Sequence, residues 1–189
     1  MLMLRKFHGL TAAILALCLT SCIKSKNPLS DPDRSVPDAQ LYGVWVQKTG
    51  GVINTMVIGR TSELSSRKDV PVGLMRVTRS SINSKGFVDS PTEHYFYATS
   101  LDSGTYLSLL DVVASNVPKI DPSNTKAVKG YNLLKYRVSG DKLEYSVGNA
   151  NSGSLTDSTD NLVSYLNRGG GNALFPENTK EVYIRILTP

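Results

Sequence analysis

Short apolar runs that alternate with polar residues occupy most of the chain from Leu41 onward. A period of two is typical of strands with one buried face. Turn signals such as Gly50-Gly51 and Ser139-Gly140-Asp141 separate neighbouring runs and predict β-hairpins. We expect eight strands, at residues 42–47, 52–58, 70–78, 94–98, 105–113, 131–138, 142–147 and 181–187.

One segment has helical rather than strand periodicity. Three apolar residues recur at intervals of three and four: Leu162, Tyr165 and Leu166. Thr156 or Ser158 is suited to cap the helix, and Asp157 and Asp160 suit the dipole of its first turn. Gly169-Gly170-Gly171 is expected to end it. The sequence therefore predicts one short helix before the last strand.

Tight hairpins predict an antiparallel meander, and such a sheet must protect its edge strands. It does so by closing into a barrel or by packing sheet on sheet. The fold class we expect is therefore mainly β: an antiparallel barrel or sandwich with one short helix before the final strand. Residues 41–189 would form this single β-rich domain.

The first 22 residues have a different pattern. Arg5 and Lys6 precede a short apolar stretch, and small residues then lead to a cysteine. This order is typical of a secretory signal peptide, and about ten apolar residues are too few to span a bilayer. Leu19-Thr20-Ser21-Cys22 resembles the lipobox of bacterial lipoproteins. That resemblance implies removal of residues 1–21, a lipid on the Cys22 sulfur, and an acyl chain such as palmitate on its new amino group.

Residues 22–40 are polar and contain Pro28, Pro32 and Pro37. We interpret them as a lipidated N-terminus and flexible tether. As a coil, the seventeen residues 23–39 would average roughly 23 Å end to end, and as an extended chain they would reach about 50 Å. Ile23 follows the cysteine where enteric inner-membrane lipoproteins carry Asp. The lipoprotein resemblance therefore favours the outer membrane within the cell envelope.

Composition narrows the function further. The net charge of +5 falls to +3 once Arg5 and Lys6 are removed, so no nucleic-acid partner is required. Cys18 would leave with the signal, and Cys22 would be consumed by lipid. The folded domain then has no thiol for a disulfide, a metal or nucleophilic catalysis. No later stretch is long and apolar enough to span a membrane, so membrane contact would come through acyl chains.

Candidate catalytic and metal-binding residues are few. His94 is the single histidine after the predicted cleavage, and no Gly-x-Ser-x-Gly or HExxH motif occurs. Glu93 and His94 would face opposite ways on a strand, so we interpret His94 as a surface residue. The oxygen-rich 157–161 segment lacks the glycine and distal glutamate of a calcium loop. We therefore predict no catalytic residue, no metal and no cofactor.

Two further groups allow a functional and a structural interpretation. The strands are rich in tyrosine, which could line a ligand pocket at a barrel mouth or simply populate strands. These tyrosines are Tyr42, Tyr95, Tyr97, Tyr106, Tyr131, Tyr136 and Tyr145. A loosely basic region is most simply a solvated face: Arg60, Arg67, Lys68, Arg76 and Arg79.

The order of elements from residue 41 to 189 resembles that of lipocalins. Gly43-Val44-Trp45 begins the first strand, a meander follows, and a helix precedes the last strand. The resemblance implies a barrel that binds a small apolar ligand. It also implies an arginine packed on Trp45, for which Arg185 lies later in the chain than the family pattern.

The function we expect is that of a lipid-anchored cell-envelope lipoprotein, attached through Cys22, that binds a small apolar ligand and is not an enzyme. The alternative is a non-enzymatic envelope protein that binds another protein or the cell wall. The ligand-binding residues are not identified by the sequence.

Overall fold

The structure is a computed structural model, and it describes residues 23–60, 71–112, 128–148 and 158–188. Within these ranges the chain forms β1 (Lys24–Ser25), β2 (Gly43–Thr49), β3 (Val52–Gly59), β4 (Leu74–Ile82), β5 (Thr92–Leu101), β6 (Gly104–Val112), β7 (Val128–Ser139), β8 (Lys142–Val147) and β9 (Lys180–Leu187). The helices are α1 (Thr159–Tyr165) and α2 (Gly171–Leu174), and short 3₁₀ turns lie at Pro32–Arg34, Ala39–Leu41 and Glu177–Thr179.

Strands β2 to β9 form a closed antiparallel barrel. Each pairs with its neighbour in the chain, and β9 closes the sheet by pairing with both β2 and β8. The prediction of a mainly β antiparallel fold with a short helix before the last strand is confirmed, and of its two alternatives the barrel is correct. Because neighbouring strands run in opposite directions, β5 and β9 begin at one end of the barrel, which we call the upper end.

The lower end is closed around Trp45. This side chain is fully buried, and its indole Nε1 donates to the Leu41 carbonyl at 2.8 Å. The Arg185 guanidinium lies 4.3 Å from the centre of the Trp45 ring, so the arginine on the last strand does pack on the tryptophan. Gly43 has a φ of 136°, and a Cβ there would lie 2.4 Å from the Leu187 carbonyl oxygen. Glycine is therefore needed where β9 crosses β2.

The barrel has two hydrophobic cores, one on each face of its wall. The inner core surrounds Trp45 and includes Met56, Met75, Phe96 and Tyr183. The outer core covers the outward faces of β4 to β7. Its members on the strands are Leu74, Tyr97, Tyr106, Leu110, Tyr131 and Leu133, and its covering residues are Ile23, Leu29, Leu162, Leu166, Leu174 and Phe175.

The segment that we expected to be a flexible tether lies along the barrel. Ile23 and Leu29 are buried in the outer core, and the Leu29 amide donates to Ser108 Oγ at 3.0 Å. Thr159 Oγ1 in turn donates to the Pro28 carbonyl at 3.2 Å. The prolines suggested an extended tether, but two apolar residues and the backbone hydrogen bonds dock this segment instead.

The helical segment begins as predicted and continues farther than predicted. Ser158 is the N-cap, and its hydroxyl accepts from the Asn161 amide. The three glycines do not end the helix, because a wide turn (Leu166–Gly170) leads into α2. Gly169, with a φ of 90°, kinks the chain, and Gly170 packs against the Tyr165 ring. The kink lets both halves bury leucines in the outer core.

Several strand boundaries differ from the predicted ones. β4 begins at Leu74, three residues after Pro71, and extends through Ile82 because Ser80 and Ser81 pair with β3. β5 is twice as long as the run of aromatic residues that signalled it. Predictions that fall on residues 1–22, 61–70, 113–127 and 149–157 lie outside the described residues.

Substitution of Ile23 tests whether the N-terminal segment belongs to the folded domain. Ile23→Ala in purified residues 23–189 should lower the free energy of unfolding by about 2–4 kcal/mol, because it removes buried methyl groups and leaves a cavity. Urea unfolding followed by circular dichroism measures this loss. Val36→Ala is the control, because Val36 is exposed and its substitution should change stability by less than about 0.5 kcal/mol. Equal losses in the free energy of unfolding for the two substitutions would show that the N-terminal segment is not docked on the barrel.

Candidate functional site: the interior of the barrel

The inner wall of the barrel is less buried than its outer wall on β6, and individual inward positions on β5, β7 and β8 are also partly exposed. On β6 the outward residues Tyr106, Ser108 and Leu110 are buried, whereas the inward residues Leu107 and Leu109 are partly exposed. The same partial exposure is seen at the inward residues Ala98, Leu134, Val138 and Val147. Since the other face of β6 is covered by the outer core, the exposed parts of Leu107 and Leu109 face the interior. The barrel therefore encloses accessible space beside an apolar wall.

The opposite half of the interior is filled by side chains. Trp45, Met56, Ile58, Met75 and Val77 point inward from β2, β3 and β4, and each is buried. The accessible space is therefore one-sided, lying against β5 to β8 and bounded by this packed half.

Polar side chains cross the interior near its upper end. Tyr145 Oη donates to Glu181 Oε2 at 2.7 Å, and Tyr183 Oη lies 3.4 Å from the same oxygen. The Tyr145 and Tyr183 rings stack with centroids 5.8 Å apart. Arg79 reaches this group from β4, because it is paired with inward-facing Met56 and its guanidinium bonds to Tyr183.

The charge of Arg79 is accommodated by these neighbours. Burial lowers the pKa of Arg79, but its interactions with Tyr145, Tyr183 and Glu181 outweigh burial and leave that pKa raised. Burial also raises the pKa of Tyr145 well above its usual value, so the phenol stays protonated and can donate to Glu181. Arg79 nevertheless remains exposed, so solvent reaches the interior from this end.

His94 lies inside the barrel, not on its surface as the sequence suggested. It pairs with inward-facing Val77, whereas Glu93 points outward and accepts from Arg76 at 3.1 Å. Burial, and secondarily the charge of Arg79, lower the pKa of His94. The two neighbours face opposite ways, so Glu93 and His94 do not form an acid–base pair.

Two more inward-facing polar groups lie on β6 and β7. Asn132 pairs with Leu109, and its buried Oδ1 has no hydrogen-bond partner among the described residues. Asp111 Oδ2 accepts a hydrogen bond from Lys24 Nζ at 2.9 Å, which forms an ion pair. A buried amide without a partner is expected to meet water or a ligand. Asn132 is therefore a candidate polar contact within the accessible space.

The tyrosines divide between the two cores. Tyr136 and Tyr145 point into the barrel, and Tyr136 Oη donates to Asp38 Oδ2 at 2.6 Å near the lower end. Tyr97, Tyr106 and Tyr131 instead fill the outer core. The hypothesis that the tyrosines line the mouth of the barrel is therefore wrong for most of them. Strands β5 and β7 pack against a core on both faces, and each face carries aromatic side chains.

The basic region divides in the same way. Arg76 points outward, as predicted for a solvated face, whereas Arg79 points inward. Arg67 and Lys68 lie outside the described residues, as does the predicted lipid-attachment residue Cys22. Arg79 is the next alternate residue after Met75 and Val77 on β4, and this spacing was the sequence signal that it faces inward.

Two observations bear on metals and membranes. Within the described ranges, three or more histidine, cysteine, aspartate or glutamate side chains do not come together as a metal site would require. None of the helices in this part of the chain is long and apolar enough to cross a membrane.

The arrangement is suited to binding. An apolar wall can take a hydrocarbon or ring system, while Arg79, Glu181 and the two tyrosines offer polar contacts at one end. A scan against protein-family models and searches of curated proteins and of solved structures return no match for this chain. The interior geometry is thus the main basis for a functional proposal.

The position of His94 predicts a dependence of stability on pH. Because folding lowers the pKa of His94, the unfolded chain binds more protons than the folded chain between the folded pKa and pH 6.5. The free energy of unfolding should be highest above pH 6.5 and should decrease as the pH falls from 6.5 toward the pKa of His94 in the folded protein. Urea unfolding between pH 5 and 7.5 measures this, and His94→Gln should flatten the profile. An imidazole pKa at or above 6.5 by NMR would contradict the interior position.

Proposed function

We propose that this protein is a lipid-anchored lipoprotein of the bacterial cell envelope whose barrel binds a small apolar ligand. The observation that carries the binding role is the partial exposure of Leu107 and Leu109 on the inner wall of β6. Burying about 100 Å² of ligand against such a wall is worth roughly 2.5 kcal/mol. The polar group around Arg79 would contact the less apolar end of the ligand.

The anchor is supported by the sequence. Leu19-Thr20-Ser21-Cys22 follows a short apolar stretch with a basic start, and it resembles a lipobox. Two acyl chains or more on Cys22 would hold the protein stably in a membrane, whereas one would not. The residue after the cysteine, Ile23, favours the outer membrane. The barrel itself would act as a binding module and not as an enzyme.

A second role is favoured by an apolar strip on the outside of the barrel. Val57 on β3 and Ile184, Ile186 and Leu187 on β9 are exposed on either side of β2, outside the part of the wall that the outer core covers. An exposed apolar strip of this kind is typical of a protein-interaction surface. This strip would be the contact if the protein binds another envelope protein.

Substitution of Cys22 tests the anchor. The wild-type chain expressed in a bacterium should carry a diacylglyceryl group and an N-acyl chain on Cys22 and should lack residues 1–21, as read by mass spectrometry. Cys22→Ser should lose both modifications and leave the membrane fraction. Cys18→Ser is the matched control and should change neither. Recovery of the wild-type protein with Met1 attached, or unacylated, would contradict the anchor.

Filling the accessible space tests the binding role. Leu107→Trp should weaken binding of a fluorescent apolar probe such as N-phenyl-1-naphthylamine by tenfold or more, about 1.4 kcal/mol, because the indole occupies the space. Val57→Trp adds the same ring outside the barrel and should leave binding unchanged. Thermal unfolding of both variants shows whether they fold, since overpacking can cost about 1–3 kcal/mol. Equal probe affinities in folded Leu107→Trp and wild type would exclude the interior site.

A further inference from the structure

The first described residue of the chain is built into the barrel wall. The Ile23 amide donates to the Gly148 carbonyl at 3.1 Å, and its carbonyl accepts from the Leu133 amide at 3.1 Å. Its side chain is completely buried. A Cβ on Gly148 would lie 2.6 Å from Ile23 Cδ1, so the residue at 148 must be small for this contact to form. Ile23 is therefore held from both its backbone and its side chain.

This junction lies toward the upper end of the barrel. β8 ends at Val147, and β1 then takes over the edge of β7 that β8 has left. Lys24 is paired with inward-facing Asn132, and its ammonium reaches Asp111 near the upper end of β6. The N-terminal residues thus form part of the rim beside the polar end of the interior.

The position of Ile23 removes the spacer that the sequence suggested. Cys22 is one peptide bond away, and consecutive Cα atoms are about 3.8 Å apart. A lipidated cysteine lies at the membrane interface, because its acyl chains extend into the hydrocarbon. A free tether would have allowed roughly 23 Å on average between lipid and domain. With Ile23 fixed, the rim cannot move away from the headgroups by that distance.

The charges near the junction suit an anionic bilayer surface. Lys24 follows Ile23 directly, Lys26 lies two residues farther on, and both are exposed. Each basic residue close to an anionic membrane contributes on the order of 1 kcal/mol to attraction.

We propose that the upper end of the barrel is held against the bilayer surface, so that the interior opens toward the lipid and the end closed by Trp45 points away from it. This orientation rests on the proposed lipidation of Cys22. It identifies the bilayer as the partner of the upper rim, and it means that a ligand of the barrel exchanges directly with the membrane.

Single-cysteine labelling tests the orientation. Lys26→Cys and Lys85→Cys lie at the upper end on different walls, and Asp102→Cys and Asp141→Cys lie in turns at the lower end. The lower turns lie roughly 20 Å farther along the strands than Ile23, at about 3.3 Å per residue. Acylated Cys22 has no free thiol, so each variant carries one labelling site.

The full-length variants, processed in a bacterium, are reconstituted into phosphatidylethanolamine–phosphatidylglycerol vesicles that contain a headgroup-nitroxide lipid. We expect fluorescence quenching at residues 26 and 85 to exceed that at residues 102 and 141 by threefold or more. Stronger quenching at 26 and 141 than at 85 and 102 would mean that the barrel lies on its side. Equal quenching at all four positions would mean free tumbling. Either result would overturn the proposal.

A spacer separates failure of the orientation from failure of the anchor. Twelve Gly/Ser residues inserted between Cys22 and Ile23 should leave the protein in the membrane fraction but reduce the difference in quenching between upper and lower labels. If wild-type protein is acylated yet shows no difference in quenching, the anchor stands and the orientation is wrong. If mass spectrometry finds Cys22 unacylated, both proposals fail.

Discussion

Burial on the outer face of β5, β6 and β7 is the interaction on which the rest of the structure depends. The N-terminal segment and the two helices cover this face and bury Tyr97, Tyr106 and Leu133 completely or nearly so. A small barrel usually gains most of its stability from a filled interior. Here the second core outside the wall carries part of that role, and the inner wall can keep accessible space without loss of the fold.

The packed half of the interior and the polar upper end define what the space can accept. Trp45, clamped between the Leu41 carbonyl and the Arg185 guanidinium, fixes the lower end. Arg79 and Glu181 share the upper end with two stacked tyrosines, so their charges compensate each other inside the barrel. On the outside, Glu144 lies under the side chains of Arg137, Lys142 and Lys180. Its hydrogen bond to Lys142, with help from Lys180, lowers the pKa of this carboxyl to about 2.

The antiparallel β architecture could be predicted from the sequence because each hairpin joins strands that are neighbours in the chain. Gly50-Gly51 and Gly140-Asp141 mark turns, and alternation in β8 marks its two faces. The docking of Ile23 and Leu29 was not accessible, because two apolar residues among prolines give no periodic signal and their partners lie far along the chain. Arg79 was missed for a related reason: an arginine on a strand usually faces water, and only contacts across the barrel identify its inward orientation.

The N-terminal strand also has a consequence for the order of events in biogenesis. Its partners are synthesised much later, as the contact between Pro28 and Thr159 spans 131 residues of sequence. Contacts that close so long a loop form late in folding. In the lipoprotein that we propose, the peptide around residue 22 would therefore stay accessible to processing enzymes during export. Completion of β7 and α1 would then fix Ile23 in the sheet, so that folding of the proposed lipoprotein would itself bring the domain close to the membrane.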